Sequence, residues 1–273
     1  MCLGLAASAP AEWRLAWADE FSVEGLPDPA RWDYEVGAIR NREAQYYTRA
    51  RRENARVERG ELIIEARREP WQGHEWTSAS LITLRRMHVR YGRIEIRAQL
   101  PKGRGVWPAL WTMGVHEPPL RWPRCGEIDI MEMVGFEPDM VHMTVHTERF
   151  NHTKGNQKSS RFRLEGASDS FHVYAAEVWP DRIVFEVDQK VRFQVPRTEG
   201  ADLDAWPFDA PQYLLINLAI GGTWGGARGI DPAMTTAQLR VDYVRVYTNS
   251  AVAGSMIWTP ALGQAHAGTQ RSP

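Results

Sequence analysis

Eight short stretches of the chain, 61–68, 80–87, 91–100, 127–134, 171–179, 181–187, 212–219 and 239–247, alternate apolar and polar residues with a period of two. Successive side chains of an extended strand point to opposite faces, so this period describes strands with one face in a core. No comparably long stretch carries the 3.6-residue period of an amphipathic helix. Val187-Asp188-Gln189-Lys190-Val191, set between two β-rich arms, reads as a hairpin. Many strands separated by Gly, Pro and Asp indicate an all-β sandwich or barrel. A sandwich with a concave, ligand-bearing face is the expectation. At 273 residues and 43% apolar content, the chain can bury the core of one such domain. Segments 22–32, 114–125 and 149–170 lack a clear period and are expected to be surface loops around a cleft.

One stretch breaks its own alternation. Gly126-Glu127-Ile128-Asp129-Ile130-Met131-Glu132 sets three carboxylates among strand-forming apolar residues. In a regular strand Glu127 and Asp129 share a face and Glu132 points the other way. A β-bulge at Met131 or a neighbour would bring all three acids to one side, and bulges re-aim side chains next to active sites. Two carboxylates on one cleft wall suit glycoside hydrolysis, in which one attacks the sugar and the other acts as acid and then base, about 5–5.5 Å apart in retaining enzymes. The plain alternative is a solvated polar face over a buried Ile/Met face.

The formal net charge of −1 gives no basic field for nucleic acid, so an uncharged polymer is the better partner. The 12 tryptophans agree with that choice, because aromatic faces stack on the apolar faces of sugar rings. Cys2 and Cys125 are the only cysteines and provide no disulfide framework. The first residues, 1–12, resemble the end of a secretion signal with a small-residue A-x-A-like site, without a basic start or a full apolar stretch. Export to the periplasm or the medium is the expectation. No run approaches the roughly 20 apolar residues needed to span a membrane, so no membrane association is expected. The folded domain is expected over 13–248, followed by a disordered tail over 249–273.

The ordered motifs of residues 17–247 resemble glycoside hydrolase family 16, in particular its laminarinase-like endo-β-1,3-glucanases that carry a bulge. These motifs include Trp17-Ala18-Asp19-Glu20-Phe21, Asn41-Arg42-Glu43-Ala44-Gln45-Tyr46-Tyr47-Thr48, Gly105-Val106-Trp107-Pro108-Ala109-Leu110-Trp111, Glu127-Ile128-Asp129-Ile130-Met131-Glu132, Val145-His146-Thr147, Gly221-Gly222-Thr223-Trp224-Gly225-Gly226 and Val241-Asp242-Tyr243. The resemblance implies a β-jelly roll of two packed antiparallel sheets, double displacement with retention, and a β-1,3-glucan as substrate. It also implies Glu127 as nucleophile, Glu132 as general acid/base and Asp129 as the residue that orients and tunes the pair. Asn41, Trp107, Trp111, Trp122, His146 and Trp224 are implied as sugar-binding, and Trp107 and Trp111, four apart, would present rings to one sugar track.

His142 and His146 share a strand face, but without the H-E-x-x-H pattern or a third ligand they are not read as zinc ligands. Catalysis is expected to need no cofactor. The resemblance does imply a structural Ca²⁺ on the convex side at Glu20, the Gly60 carbonyl and Asp242. Several laminarinase-like relatives carry Arg where this chain has Ser80, so no subsite is carried over there. The reading is thus a monomeric, laminarinase-like enzyme. The alternatives are a mixed-linkage glucanase, a galactan hydrolase, a transglycosylase or a non-catalytic glucan-binding module, the last disfavoured because both glutamates are present.

Overall fold

The computed structural model describes residues 12–260, built almost wholly of strands. In chain order these are β1 (Trp13–Asp19), β2 (Asp33–Glu35), β3 (Gln45–Tyr47), β4 (Ala55–Glu58), β5 (Glu61–Trp71), β6 (His74–Ser78), β7 (Ser80–Ile82), β8 (His88–Arg90), β9 (Gly92–Gln99) and β10 (Val106–Gly114). They continue with β11 (Glu127–Glu132), β12 (Met140–His146), β13 (Lys158–Arg163), β14 (His172–Val178), β15 (Arg182–Val187), β16 (Lys190–Pro196), β17 (Gln212–Ile220), β18 (Thr236–Asn249) and β19 (Met256–Trp258). Among the described residues the only helical element is a 3-10 turn at His152–Lys154, and no helix is long and apolar enough to cross a membrane.

Two sheets pack face to face. One runs β16-β15-β14-β9-β18-β5-β6-β3, with β1 on β18 and β4 on β5; the other runs β13-β12-β11-β10-β17-β7-β2, with β8 and β19 at its side. All pairings are antiparallel except β3 with β6. The period-two runs imply a sandwich and the family resemblance a jelly roll, and the two packed sheets agree with both. The long β18 ties the first sheet together, pairing with β9 on one side and with both β5 and β1 on the other.

Alternation decides which residues fill the sandwich. On β10, Val106, Leu110 and Thr112 are buried, Val106 and Leu110 within the main core, whereas Trp107, Ala109, Trp111 and Met113 line the open face. On β17, Leu214, Ile216, Leu218 and Ile220 enter the core, and Tyr213, Asn217 and Ala219 line the open face. Burying such Leu, Ile and Val side chains contributes about 1.5–3 kcal/mol each, which makes the period-two pattern the main determinant of register.

Three expectations change. Segment 149–170 contains β13, an edge strand held by its pairing with β12 from Met140↔Arg163 to Val145↔Lys158. The tail expected from 249 is folded over its described part: β19 pairs with β8, and Trp258 stacks on His88 with ring centroids 4.9 Å apart. Residues 261–273, like the signal-like start over 1–11, lie outside the described residues. The run 80–87 is a strand only over β7, after which Thr83 closes a turn by accepting from the backbone N–H groups of Arg86 and Met87.

Candidate active site

The violation of alternation in β11 is resolved by a bulge. Against β10, Asp129 pairs with Trp111 and Met131 with Leu110, so Ile130 is the additional residue. Against β12, Asp129 pairs with Thr144 and Glu132 with His142. Met131 keeps its partner, so the inserted position is its neighbour. The bulge lets Ile130 and Met131, two residues in succession, both enter the core at 0% exposure, and the parity of the strand flips after them. Glu127, Asp129 and Glu132 therefore all line one cleft on the concave face, about 800 Å³ in volume. Gly126 starts this strand at φ +83°, where a β-carbon would come within 2.6 Å of Pro207 Cγ, so the entry into β11 requires glycine.

The three acids are deeply set. Burial raises the Glu127 carboxyl well above the usual carboxylate range, and the negative charge of Asp129 adds to that. Asp129 is raised well above its usual value by burial and then by Glu132. Glu132 is raised by burial, opposed by the hydrogen bond that the Trp107 indole N–H donates to its Oε1 at 2.9 Å. Burial and mutual repulsion thus act together against simultaneous ionisation of the three acids. His146, paired with Glu127 across β12, puts Nε2 3.8 Å from Glu127 Oε1 and 3.4 Å from Asp129 Oδ2, and it favours the charged forms of Glu127 and Glu132.

Donor atoms of Glu127, Asp129 and His146 lie within 4.8 Å of one another, and His142 is not among them. It lies opposite Glu132, with its ring edge-on to Trp224 at 4.8 Å and its Nε2 3.6 Å from Glu137.

All six residues expected to bind sugar line the cleft with the acids. Trp107 and Trp224 meet edge to face at 5.4 Å beside Glu132; Gly225 permits this, since a β-carbon there would lie 2.8 Å from Trp107 Cβ. At the Glu127 end, Trp122 packs against His152 and His146 with centroids 5.0 and 6.1 Å apart. Trp111 differs from expectation. The residue is 7% exposed and its ring carries the Arg40 guanidinium 4.7 Å from its centroid, so it supports the cleft wall and is not an open platform like Trp107.

Sequence reasoning missed Glu43 as a site residue. It is 8% exposed and accepts hydrogen bonds from Asn41 Nδ2 at 3.1 Å, Gln45 Nε2 at 2.6 Å and the Tyr47 hydroxyl at 3.2 Å. Asn217 Nδ2 donates to Tyr47 at 3.0 Å, and Asn217 Oδ1 accepts from the Trp111 indole at 2.7 Å. A buried network thus links the Asn41 loop to the cleft floor. The positions 43, 45 and 47, spaced by two within one motif, were the signal for it. Glu35, Arg40, Tyr213 and His152 also line the cleft. They arrive from separate strands and loops, and no local pattern announces them.

The residues expected to hold Ca²⁺ lie in the other sheet. The register of β1 and β5 on β18 brings Glu20, the β4–β5 turn with Gly60, and Asp242 to one region, because Asp19 pairs with Val244 and Leu62 with Val241. Both Glu20 carboxylate oxygens accept from Arg245, at 2.8 and 2.9 Å, and Asp242 Oδ2 accepts from Arg97.

Residues 42–245 match the family model of glycosyl hydrolases family 16. The X-ray structure of the laminarinase from Rhodothermus marinus superposes with a TM-score of 0.85 at 52% identity, covering 88% of this chain and 99% of that one. SCLam, a non-specific endo-β-1,3(4)-glucanase, superposes with a TM-score of 0.83 at 41% identity over 88% of this chain and 93% of its own. The glucan endo-1,3-β-glucosidase of Cryptopygus antarcticus is 34% identical over 270 residues, 91% of this chain and 97% of its own length. A bulged acid strand across a tryptophan-walled cleft, a jelly-roll frame and these likenesses agree: the chain belongs to glycosyl hydrolases family 16.

Proposed function

We propose that this protein is a retaining endo-β-1,3-glucanase that cleaves internal bonds of laminarin-type polymers. The bulge at Ile130 carries the reading, because it turns Glu132 onto the same cleft as Glu127 and Asp129. In the first step the Glu127 carboxylate attacks the anomeric carbon, the glycosidic C–O bond breaks, and the Glu132 proton passes to the departing oxygen. In the second, Glu132 takes a proton from water, whose oxygen attacks the same carbon and returns Glu127 to its free form. Asp129 beside Glu127 raises its carboxyl by like charge, and His146 beside both opposes that shift and favours the ionised, attacking form of Glu127. The raised Glu132 carboxyl suits an acid that must keep its proton near neutral pH.

The test is incubation with laminarin, lichenan, agarose and κ-carrageenan, with product sizing and NMR of the first-formed anomers. Rapid shortening of laminarin with β-anomers is expected; α-anomers would sink the double displacement. Comparable turnover of lichenan would instead establish mixed-linkage activity, a reading favoured by the likeness to SCLam. A polymeric substrate cannot enter a cell, and for that reason we place the enzyme outside it.

A Ca²⁺ clip joining the two ends of the domain is also proposed. Asp242 and the Gly60 carbonyl are oxygen donors of the kind Ca²⁺ takes. Glu20, its carboxylate already held by Arg245, would contribute through its backbone carbonyl. Chelation is expected to lower Tm by several degrees, restored by added Ca²⁺, since a ligand bound only by the native state stabilises it by mass action. An unchanged Tm would remove the site.

A further inference from the structure

A second groove, about 640 Å³ in volume, lies outside the cleft at the β3 edge of the first sheet. Alternation separates the two. Gln45 and Tyr47 are buried and turn toward the Glu43 network under the cleft, so Tyr46 between them points to the outer face. There it lines the groove together with Trp71, the last residue of β5, and the loop 48–53 that follows β3.

The floor of this groove is fixed without a ligand. Arg51 donates from Nη2 to Glu69 at 3.2 Å and from Nη1 to Asn54 at 3.0 Å. Asn54 is fully buried; its amide donates to the Glu65 carbonyl at 3.0 Å and to Thr77 Oγ1 at 2.8 Å, and its Oδ1 accepts from Thr48 Oγ1 at 2.9 Å. The Arg51 guanidinium, held in this way, lies 4.7 Å from the centroid of the Trp71 ring. The indole is thus backed by a pinned cation, yet Trp71 stays 37% exposed. Around it the Tyr46 hydroxyl, the Trp71 indole N–H and the Arg52 guanidinium make no hydrogen bond or ion pair among the described residues.

We propose that this groove is a second glucan-binding site, on the opposite face of the sandwich from the acids, where a sugar ring of a neutral β-glucan chain stacks on Trp71. The inference rests on the glucanase reading. An exposed, braced indole ringed by unpaired donors matches a pyranose, which offers an apolar ring face and a rim of hydroxyls. Charge selects a neutral chain. Arg49 is paired with Asp33, and Arg51 with Glu53 and Glu69, so Arg49, Arg51 and Arg52 face three carboxylates and leave no net charge to draw a sulfate or uronate. Glu35 lines the cleft and its neighbour Val36 the groove, so both sites flank one edge of the molecule. A polymer held at the groove keeps its other segments near the acids and raises their effective concentration, which a short oligomer cannot do.

The test titrates the cleavage-silent Glu127→Gln chain with laminarihexaose by calorimetry. Two sites per chain are expected, and one when Trp71→Ala is added. In the active enzyme, kcat/KM on laminarin is divided by kcat/KM on laminaritetraose. Trp71→Ala should lower this ratio about tenfold and Arg52→Ala about threefold, the effects of one stacked ring and one donor. A structural Trp71 would instead lower Tm and reduce activity on both substrates evenly, leaving the ratio where it was. An unchanged ratio, a single site in Glu127→Gln, two sites that survive Trp71→Ala, or tighter binding of κ-carrageenan than of laminarin at the second site would each overturn the proposal. If Trp71→Ala fails to fold, Arg52→Ala decides. Wild type active on laminarin with one binding site would lose the groove alone; wild type inactive on every β-glucan would strike the glucanase reading, and this inference with it.

Discussion

Replacing Glu127 by glutamine is expected to cut turnover of laminarin by on the order of 10⁴-fold while leaving the fold intact, because the amide cannot form the glycosyl ester. The geometry supports this size of effect: Glu127 faces the cleft beside Asp129 and His146, and no other carboxylate occupies its place at the start of β11. Glu127→Ala opens room for a small anion, so azide should restore part of the activity and yield an α-glycosyl azide, the product of one inversion. Near-normal turnover in Glu127→Gln would remove Glu127 as nucleophile.

The same variant should be more stable than wild type at neutral pH. An acid whose folded pKa is raised supports the fold fully below its unfolded pKa of about 4.3, and that support is lost as pH rises through the raised value. Glu127 is shifted in that direction by burial. At pH 7 the native trio thus carries a cost that glutamine relieves. Tm should rise at pH 7 by about 2–4 °C for each kcal/mol relieved, with the gap closing near pH 4. An equal gap at both pH values would show that the burial cost lies elsewhere.

Glu132→Gln is expected to lower turnover of laminarin by about 10²–10⁴-fold. An aryl laminaribioside with a good leaving group, which departs without a proton, should be cleaved with far less loss in the first step. Equal losses on both substrates would exclude Glu132 as the acid. The pH profile provides a second reading of the same residue. As the proposed acid Glu132 must be protonated to act, so its raised pKa is expected to set the basic limb of kcat/KM. The Trp107 N–H at 2.9 Å stabilises the ionised carboxylate and lowers that pKa. In Trp107→Phe the basic limb should therefore move to higher pH, and a move to lower pH would contradict the assignment.

The fold was legible wherever one face of a strand is buried. The runs at 91–100, 171–179 and 212–219 correspond to β9, β14 and β17, whose alternate residues fill the sandwich. β13 was not legible. Its sequence Lys-Ser-Ser-Arg-Phe-Arg is almost wholly polar, and it is a strand because β12 offers its edge. β19 was hidden for a similar reason, since three residues with an exposed Met256 and Trp258 have no period until β8 pairs with them.

The site was legible in part and for a physical reason. Three acids among Ile and Met break strand parity, and that conflict can be read locally as a bulge. Local sequence could not say that Ile130 is the extra residue, because the count depends on the partners Leu110 and Trp111. Trp107 and Trp111 look equivalent at a spacing of four, yet one stands open beside Trp224 and the other lies under Arg40.

By itself the sequence determined the strand periodicity, the jelly-roll family and the identity of the three acids, since these follow from side-chain alternation and from motifs within a few residues of each other. Tertiary structure alone decided where the bulge falls, that Glu43 and Asn217 brace the cleft floor, and that Arg40, Glu35 and Ser80 meet on its wall. Those contacts join residues from different strands, and their geometry is set by the register of whole sheets packed on a common core, which no short stretch of sequence encodes.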